Sequence, residues 1–473
     1  MNKSSKLAYL DAVAQAEMVK TKETEPDELV EAAIERIKKL NPKINAVITP
    51  LFNQARKQVS NLPKGRFTGV PTLLKDSARV KGVSTTIGAA LLKGNISDRD
   101  SEVIKKMRDS GLVFLGITNM PEFGILCTTE PRLYGPTRNP WDLSMTSGGS
   151  SGGASAAVAS GMVAIAQGGD GGGSIRIPAS CCGLYGMKLS RGRESVDLQT
   201  SEIGARLISN HVLTKSVRDS AAMIDVTLGP STGQLYRQPP PIKPFFEEVG
   251  ESPGTLKIAY TDENLRGRPV HSDCVKAVHD AADLCSELGH VVDNASPVLN
   301  YELYSEAFLV LWSLSNYTRI FNISRNKRQK IEKDLVEPVT WAMYERGGRY
   351  GVIDYFQALQ VLQETTYSFA KFLSDYDVFL TPTLAEPPVP LGTFDATYDD
   401  PMRGFERAIR FTPFTSVANA TGLPAMSMPL YWNSKGLPIG SQFIGRYGDE
   451  ATLIRLASQI ENARPWTQRR PPI

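Results

Sequence analysis

Three serines set in glycine and one lysine at the end of an apolar strand are the residues of this chain best suited to chemistry. The serines lie in the stretch from Thr146 to Pro178, TSGGSSGGASAAVASGMVAIAQGGDGGGSIRIP, where glycines cluster around Ser150 and Ser151 and again before Ser174. Glycine loses more conformational entropy on folding than any other residue, so such clusters belong where backbone approaches something closely or takes positive φ. Consecutive glycines ahead of Ser174 can turn several N–H groups toward one point, as an oxyanion hole requires. A tight glycine turn that serves close packing would use the same residues. Lys75 ends the short apolar run of GVPTLLKDS. There it is either a lysine snorkelling to the surface beside Asp76 or a buried amine whose pKa desolvation lowers until it can act as a base. The glycine-serine stretch favours the second reading.

Other glycine-rich chemistries fit poorly. Neither cluster is followed by the Lys of a phosphate-binding loop, and neither matches G-x-G-x-x-G. The G-x-S-x-G elbow is matched literally around Ser150 or Ser151, but NPWDLSMTS before it is not the buried strand that elbow must follow. A Ser-His-Asp triad needs a positioned histidine. Of the four in the chain, His271, His279 and His290 lie in or beside an ordinary amphipathic helix, and His211 stands in no recognisable motif, which leaves it as a structural or surface residue.

The elements that must position these groups alternate along the chain. Helices are expected over residues 5–20 and 26–40, the second ending at Asn41-Pro42, then a strand from Ile44 to Ile48 and a polar helix to about Asn61. Pro71 to Lys75 reads as a strand, Ser101 to Ser110 as a helix with Gly111 at C′, and Leu112 to Thr118 as a buried strand. A helix and a short strand separate the two glycine clusters. Gly229 to Gly254 reads as an exposed excursion, and Cys274 to Leu288 as a helix closed by Gly289. Tyr301 to Tyr376 is almost all helical and rich in aromatics, a block expected to cover the site and line its pocket. Asp377 to Thr383 returns to a strand, Pro388 to Phe411 reads as an irregular surface loop, and the end gives a helix, a hairpin near Gly436 and Pro438, and a last amphipathic helix. This order predicts an α/β fold with catalytic loops at strand ends.

Composition narrows the class of partner. A net charge of +3 with one short basic cluster, Arg325 to Lys330, leaves little to track a phosphate backbone, so nucleic acid is not expected. No window approaches ~18 uninterrupted apolar residues, so no membrane span is expected. The N-terminus does not read as a signal peptide, and five cysteines without a C-x-x-C pair argue against a disulfide framework or zinc site. A cytoplasmic protein is the resulting expectation, with a homodimer as the default assembly.

GVPTLLKD, GGSSGG and GGDGGGSIRIPASCCGLYGMK, in that order, resemble the amidase signature family, and the likeness extends to ATGLPAMSMPL and GLPIGSQFIGR near the end. NPKINAVITPLF and TTEPRLYGPTRNPWDL are most similar to the family's nylon-oligomer hydrolases. The resemblance implies a central twisted mixed β-sheet covered by helices on both faces. It also implies a Ser-Ser-Lys triad with Ser174 as nucleophile, Lys75 as base and Ser150 between them, after a cis peptide bond at Gly149. The oxyanion would be held by N–H groups of Gly171, Gly172, Gly173 and Ser174. Ser151, Asp170 and Arg176 would support the loops, and no metal or organic cofactor is implied. Gly124, Ile125 and Trp312 are the candidate substrate contacts.

Gly169 and Gly171 stand where the family usually has Ser or Thr and a larger residue, Leu189 where it commonly has Pro, and His211 where Gly is usual. The chain is expected to be one domain over 1–473, with a helical segment 1–61, a catalytic core 62–230, a helical cover 231–376 and a return to the sheet 377–473. The implied function is hydrolysis of small linear or cyclic amides, with aryl amides, carbamates and nylon-type oligomers in range. A glutaminase subunit of a tRNA-dependent amidotransferase and a non-catalytic binding protein on the same fold are the alternatives.

Overall fold

The computed structural model describes residues 7–197, 201–265 and 267–473. Its strands are β1 (Val47–Pro50), β2 (Pro71–Lys75), β3 (Val113–Thr118), β4 (Arg138–Asn139), β5 (Asp142–Thr146), β6 (Ile165–Asp170), β7 (Tyr185–Lys188), β8 (Ser209–Thr214), β9 (Lys257–Tyr260), β10 (Val291–Asn294), β11 (Val378–Pro382), β12 (Ala425–Trp432) and β13 (Pro438–Gly445). Eleven of them form one mixed sheet in the order β1-β3-β2-β6-β8-β7-β12-β13-β11-β9-β10, and β4 and β5 pair separately. β2 runs parallel to both β3 and β6, whereas β8 is antiparallel to β6.

Several central strands are apolar at successive positions because both faces of the sheet are covered. Neighbouring residues of a strand point to opposite faces, and the cores separate accordingly. Leu73, Val113, Leu115, Ala166 and Leu213 join helices Pro26–Ile44, Gly152–Ala159 and Arg176–Cys182 on one side. Their neighbours Leu74, Phe114, Ile165 and Val212 pack against helices Glu102–Asp109 and Val217–Thr227 on the other, where Ile117 joins them past the irregular pairing of β2 and β3. The second half of the sheet repeats the pattern. Ile258, Val378, Leu380, Met426 and Phe443 meet helices Ser272–Glu287 and Glu450–Ala463. Ala259, Phe379, Ala425 and Ile444 meet helices Tyr301–Lys327 and Val352–Asp375.

Some boundaries differ from the sequence reading. The second helix crosses Pro42 and ends at Ile44, where Asn45 turns left-handed and its N–H donates to the Asn41 carbonyl. Asn41 Oδ1 then accepts from the N–H groups of Ala46 and Val47, and the strand starts at Val47. The first helix is regular over Ala12–Lys20, where the Asp11 side chain caps Ala14 N–H; residues 5 and 6 of the expected helix lie outside the described residues. Pro388 to Phe411 is not irregular throughout, since Arg403–Phe411 is a helix with Phe405, Ala408 and Phe411 buried. Gly229 to Gly254 is anchored through buried Phe245, whose N–H the Asp225 carboxylate accepts. No helix among the described residues is long and apolar enough to cross a membrane.

Candidate active site

Lys75 and Asp170 are the last residues of the parallel neighbours β2 and β6, so both point out of the same edge of the sheet. Gln167 Oε1 accepts the Lys75 N–H at 3.1 Å, which ties the two strand ends together. Each glycine cluster then turns directly into a helix, Gly152–Ala159 after Ser151 and Arg176–Cys182 after Ser174. The Ser151 N–H donates to the Ser174 carbonyl at 3.2 Å, so the two clusters lie side by side.

Lys75 is buried rather than snorkelling. Its Nζ donates to Ser150 Oγ at 2.7 Å, Ser151 Oγ at 2.9 Å and the Gly169 carbonyl at 3.2 Å. Burial draws the ammonium down to about 7, while the Asp170 carboxylate pulls weakly the other way. An amine with that pKa is in large part neutral at neutral pH. The Gly149–Ser150 peptide bond is cis. Asp76 is not an exposed partner for Lys75. It is buried, accepts from the N–H groups of Thr86 and Gly88, and fixes the loop that follows β2.

Asp170 and Arg176 form an ion pair sealed from solvent. Arg176 Nε and Nη2 each donate to the carboxylate at 3.0 Å. Burial pushes the carboxyl of Asp170 up, but Arg176 and the Asn419 amide outweigh it and hold it well below the usual carboxylate range. The remaining Arg176 donors reach the Thr415 carbonyl, Gln442 Oε1 and Asn419 Oδ1. Sequence alone assigns no role to Thr415, Asn419 and Gln442. They arrive from the C-terminal part of the chain, Gln442 within GLPIGSQFIGR, and Thr415 and Asn419 just before ATGLPAMSMPL, so the family likeness of those segments is the nearest signal.

The expected oxyanion donors need one correction. The Gly173 N–H donates to Asp170 Oδ1 at 2.7 Å and is therefore already used. The N–H groups of Gly171, Gly172 and Ser174 meet no acceptor among the described residues and remain available.

Ser174 opens onto a narrow cleft lined by Gly124, Ile125, Tyr304, Phe308, Trp312 and Ile409 among others, with no charged side chain among the described residues of its walls. Gly124, Ile125 and Trp312 are thus among the residues lining the cleft beside Ser174. A Cβ on Gly124 would come within 3.2 Å of Ser150 Oγ, which places that loop against the serine pair. Phe308 and Trp312 stack at 5.4 Å over the glycine loop. A Cβ on Gly171 would lie 3.2 Å from Trp312 Cη2, so glycine there leaves room for the indole. Of the other aromatics in the helical block, Tyr317 stacks on Phe321 and Tyr344, and Trp341 packs tilted against Tyr344; these four are not among the residues lining the cleft.

His211 is structural. It lies buried in β8 with Nε2 2.7 Å from Ser220 Oγ, and burial keeps its imidazole neutral, with a pKa of about 3.

The family model described as Amidase matches residues 28–454. The 6-aminohexanoate-cyclic-dimer hydrolase of Pseudomonas sp. (strain NK87) is 35% identical over 98% of this chain and 96% of its own. A solved structure of a 6-aminohexanoate cyclic dimer hydrolase complexed with substrate superposes with a TM-score of 0.93 at 32% identity, covering 98% of this chain and 99% of that one. A bacterial aryl acylamidase of the amidase signature family gives a TM-score of 0.89 at 27% identity, covering 97% of each chain. The central sheet with its two helical covers is the fold shared with these structures, and the chain belongs to the amidase family.

Proposed function

We propose that the protein hydrolyses small, uncharged linear or cyclic amides through a covalent acyl-enzyme, with Ser174 as nucleophile, Ser150 as bridging hydroxyl and Lys75 as base. The observation that carries this reading is the buried Lys75 amine, 2.7 Å from Ser150 Oγ, with a pKa of about 7. Neutral Lys75 takes the proton of Ser150, and Ser150 takes that of Ser174 as its Oγ attacks the amide carbon. The N–H groups of Gly171, Gly172 and Ser174 receive the charge that develops on the carbonyl oxygen. As the tetrahedral intermediate collapses, the C–N bond breaks and the proton held by the relay returns through Ser150 to the leaving nitrogen. Water then attacks the acyl-enzyme by the same relay and releases the acid.

The uncharged, aromatic walls of the cleft favour a substrate with an apolar acyl or amine portion. The substrates in the names of its relatives, a cyclic amide dimer and aryl acylamides, are of that kind. A glutaminase role is disfavoured, because the α-carboxylate and ammonium of glutamine would meet no counter-charge on these walls. Turnover of an anilide and of the 6-aminohexanoate cyclic dimer by the purified chain, lost in Lys75→Ala, Ser150→Ala and Ser174→Ala, tests the proposal. Hydrolysis of glutamine alone, or unchanged turnover in Ser174→Ala, would overturn it.

A further inference from the structure

The Gly172–Gly173 peptide is pinned at both ends. Its carbonyl accepts from Thr415 Oγ1 at 2.7 Å, and its N–H donates to Asp170 Oδ1 at 2.7 Å. The next peptide is oriented by its own carbonyl, since Gly173 O accepts the Ile177 N–H at 2.7 Å. In a trans peptide the Ser174 N–H must then point the opposite way. The direction of the free Ser174 N–H is thus set by a bond outside the reaction centre, and the pinned peptide fixes the backbone between it and the Gly172 N–H.

Thr415 is the one of these partners that comes from a distant part of the chain. It is fully buried. Its own carbonyl accepts from Arg176 Nη1 at 2.8 Å, the guanidinium that also grips Asp170. Its side chain lies flush on the loop. Gly173 has φ +124°, and a Cβ there would fall 2.4 Å from Thr415 Oγ1. Both the shape of the glycine loop and the orientation of its central peptide therefore meet at one hydroxyl.

We propose that Thr415 is a positioning residue for the oxyanion-binding loop, its hydroxyl holding the Gly172 carbonyl so that the N–H groups of Gly172 and Ser174 converge on the developing oxyanion. The inference rests on the acyl-enzyme reading above and adds to it a residue that touches neither substrate nor triad. Without the hydroxyl, the Gly172 carbonyl loses its donor and the peptide is held by the Gly173 N–H bond to Asp170 alone. A peptide loosened at one end aims the neighbouring donors less well, whereas ground-state binding by the aromatic wall is unaffected. Loss of a whole oxyanion donor typically costs about 10²–10³ in kcat. A loosened one is expected to cost about 10- to 100-fold.

The test is Thr415→Val, which keeps the shape and removes the donor. It should lower kcat by about 10- to 100-fold with KM within about 3-fold, and weaken inhibition by an alkyl boronic acid, whose tetrahedral adduct uses the same donors, by a similar factor. Thr415→Ser retains the hydroxyl and should stay within about 3-fold of the native enzyme. If Thr415→Val does not fold, Thr415→Ala carries the same expectation. Unchanged kcat and boronate inhibition in the donor-less variants would overturn the proposal, as would a Thr415→Ser variant as impaired as Thr415→Val, since packing alone would then be at work. Full activity in Ser174→Ala would instead overturn the reading beneath it, so the two failures are distinguishable.

Discussion

The pH dependence of acylation follows directly from where Lys75 sits. A lysine pKa drawn from 10.5 to about 7 by burial corresponds to about 5 kcal/mol of preference for the neutral amine. If neutral Lys75 is the base, the acylation rate follows the neutral fraction. With a pKa of about 7 that fraction is about 0.09 at pH 6 and about 0.9 at pH 8, so kcat/KM should rise about tenfold and then level off. An unburied lysine would behave differently, climbing about 100-fold over the same two pH units and still rising at pH 10. Lys188 is a control, because burial lowers its pKa too, yet its ammonium donates to the Leu189 carbonyl rather than to a serine. The assay is single-turnover acylation by a chromogenic anilide from pH 5.5 to 10. The expected profile has one rising limb near pH 7, kept in Lys188→Met and absent, with the activity, in Lys75→Met. A limb that continues to pH 10, a flat profile, or loss of the limb in Lys188→Met alone would refute the assignment of the base.

Asp170→Asn leaves the Arg176 guanidinium charged and sealed from water, and should cost about 3–5 kcal/mol in urea unfolding; a loss below about 1 kcal/mol would mean that the pair is not buried as described. Gly171→Val puts a branched side chain where Trp312 Cη2 stands, so kcat/KM should fall about tenfold or more and recover in part when combined with Trp312→Ala. Additive losses in that pair would separate the two residues. Glu122 is buried beneath the cleft wall, where burial and the neighbouring Glu337 raise its pKa above 4.5. The stability it provides as a neutral acid is therefore present below 4.5 and is lost as pH rises through the raised value. Glu122→Gln should leave Tm unchanged at pH 4.5 and raise it at pH 9, and an equal shift at both values would contradict the reasoning.

The parts of the site held by local sequence were legible. Ser150, Ser151 and Ser174 are framed by their own glycines, and Lys75 ends an apolar run, so types and spacing point to them before any coordinates. The family likeness then supplied an order of roles that neighbouring residues alone could not. What the sequence concealed was fixed by distant partners. Thr415, Asn419 and Gln442 meet Arg176 only once the C-terminal strands have closed the sheet. The Gly173 N–H looks like an oxyanion donor until the Asp170 carboxylate is seen to take it. The same holds for the fold, where apolar runs marked buried strands but not their order. The helix Arg403–Phe411 does carry a helical signal, with Phe405, Ala408 and Ile409 at i, i+3 and i+4, but it is short and follows a stretch rich in proline and glycine that masks it.

The covalent step is the centre of this account, and intact-mass analysis after treatment with a fluorophosphonate tests it most directly. One phosphonyl adduct per chain, mapped by peptide digestion to Ser174 and absent from Ser174→Ala, is the result expected here. An unmodified native chain, or an adduct that persists in Ser174→Ala, would contradict it.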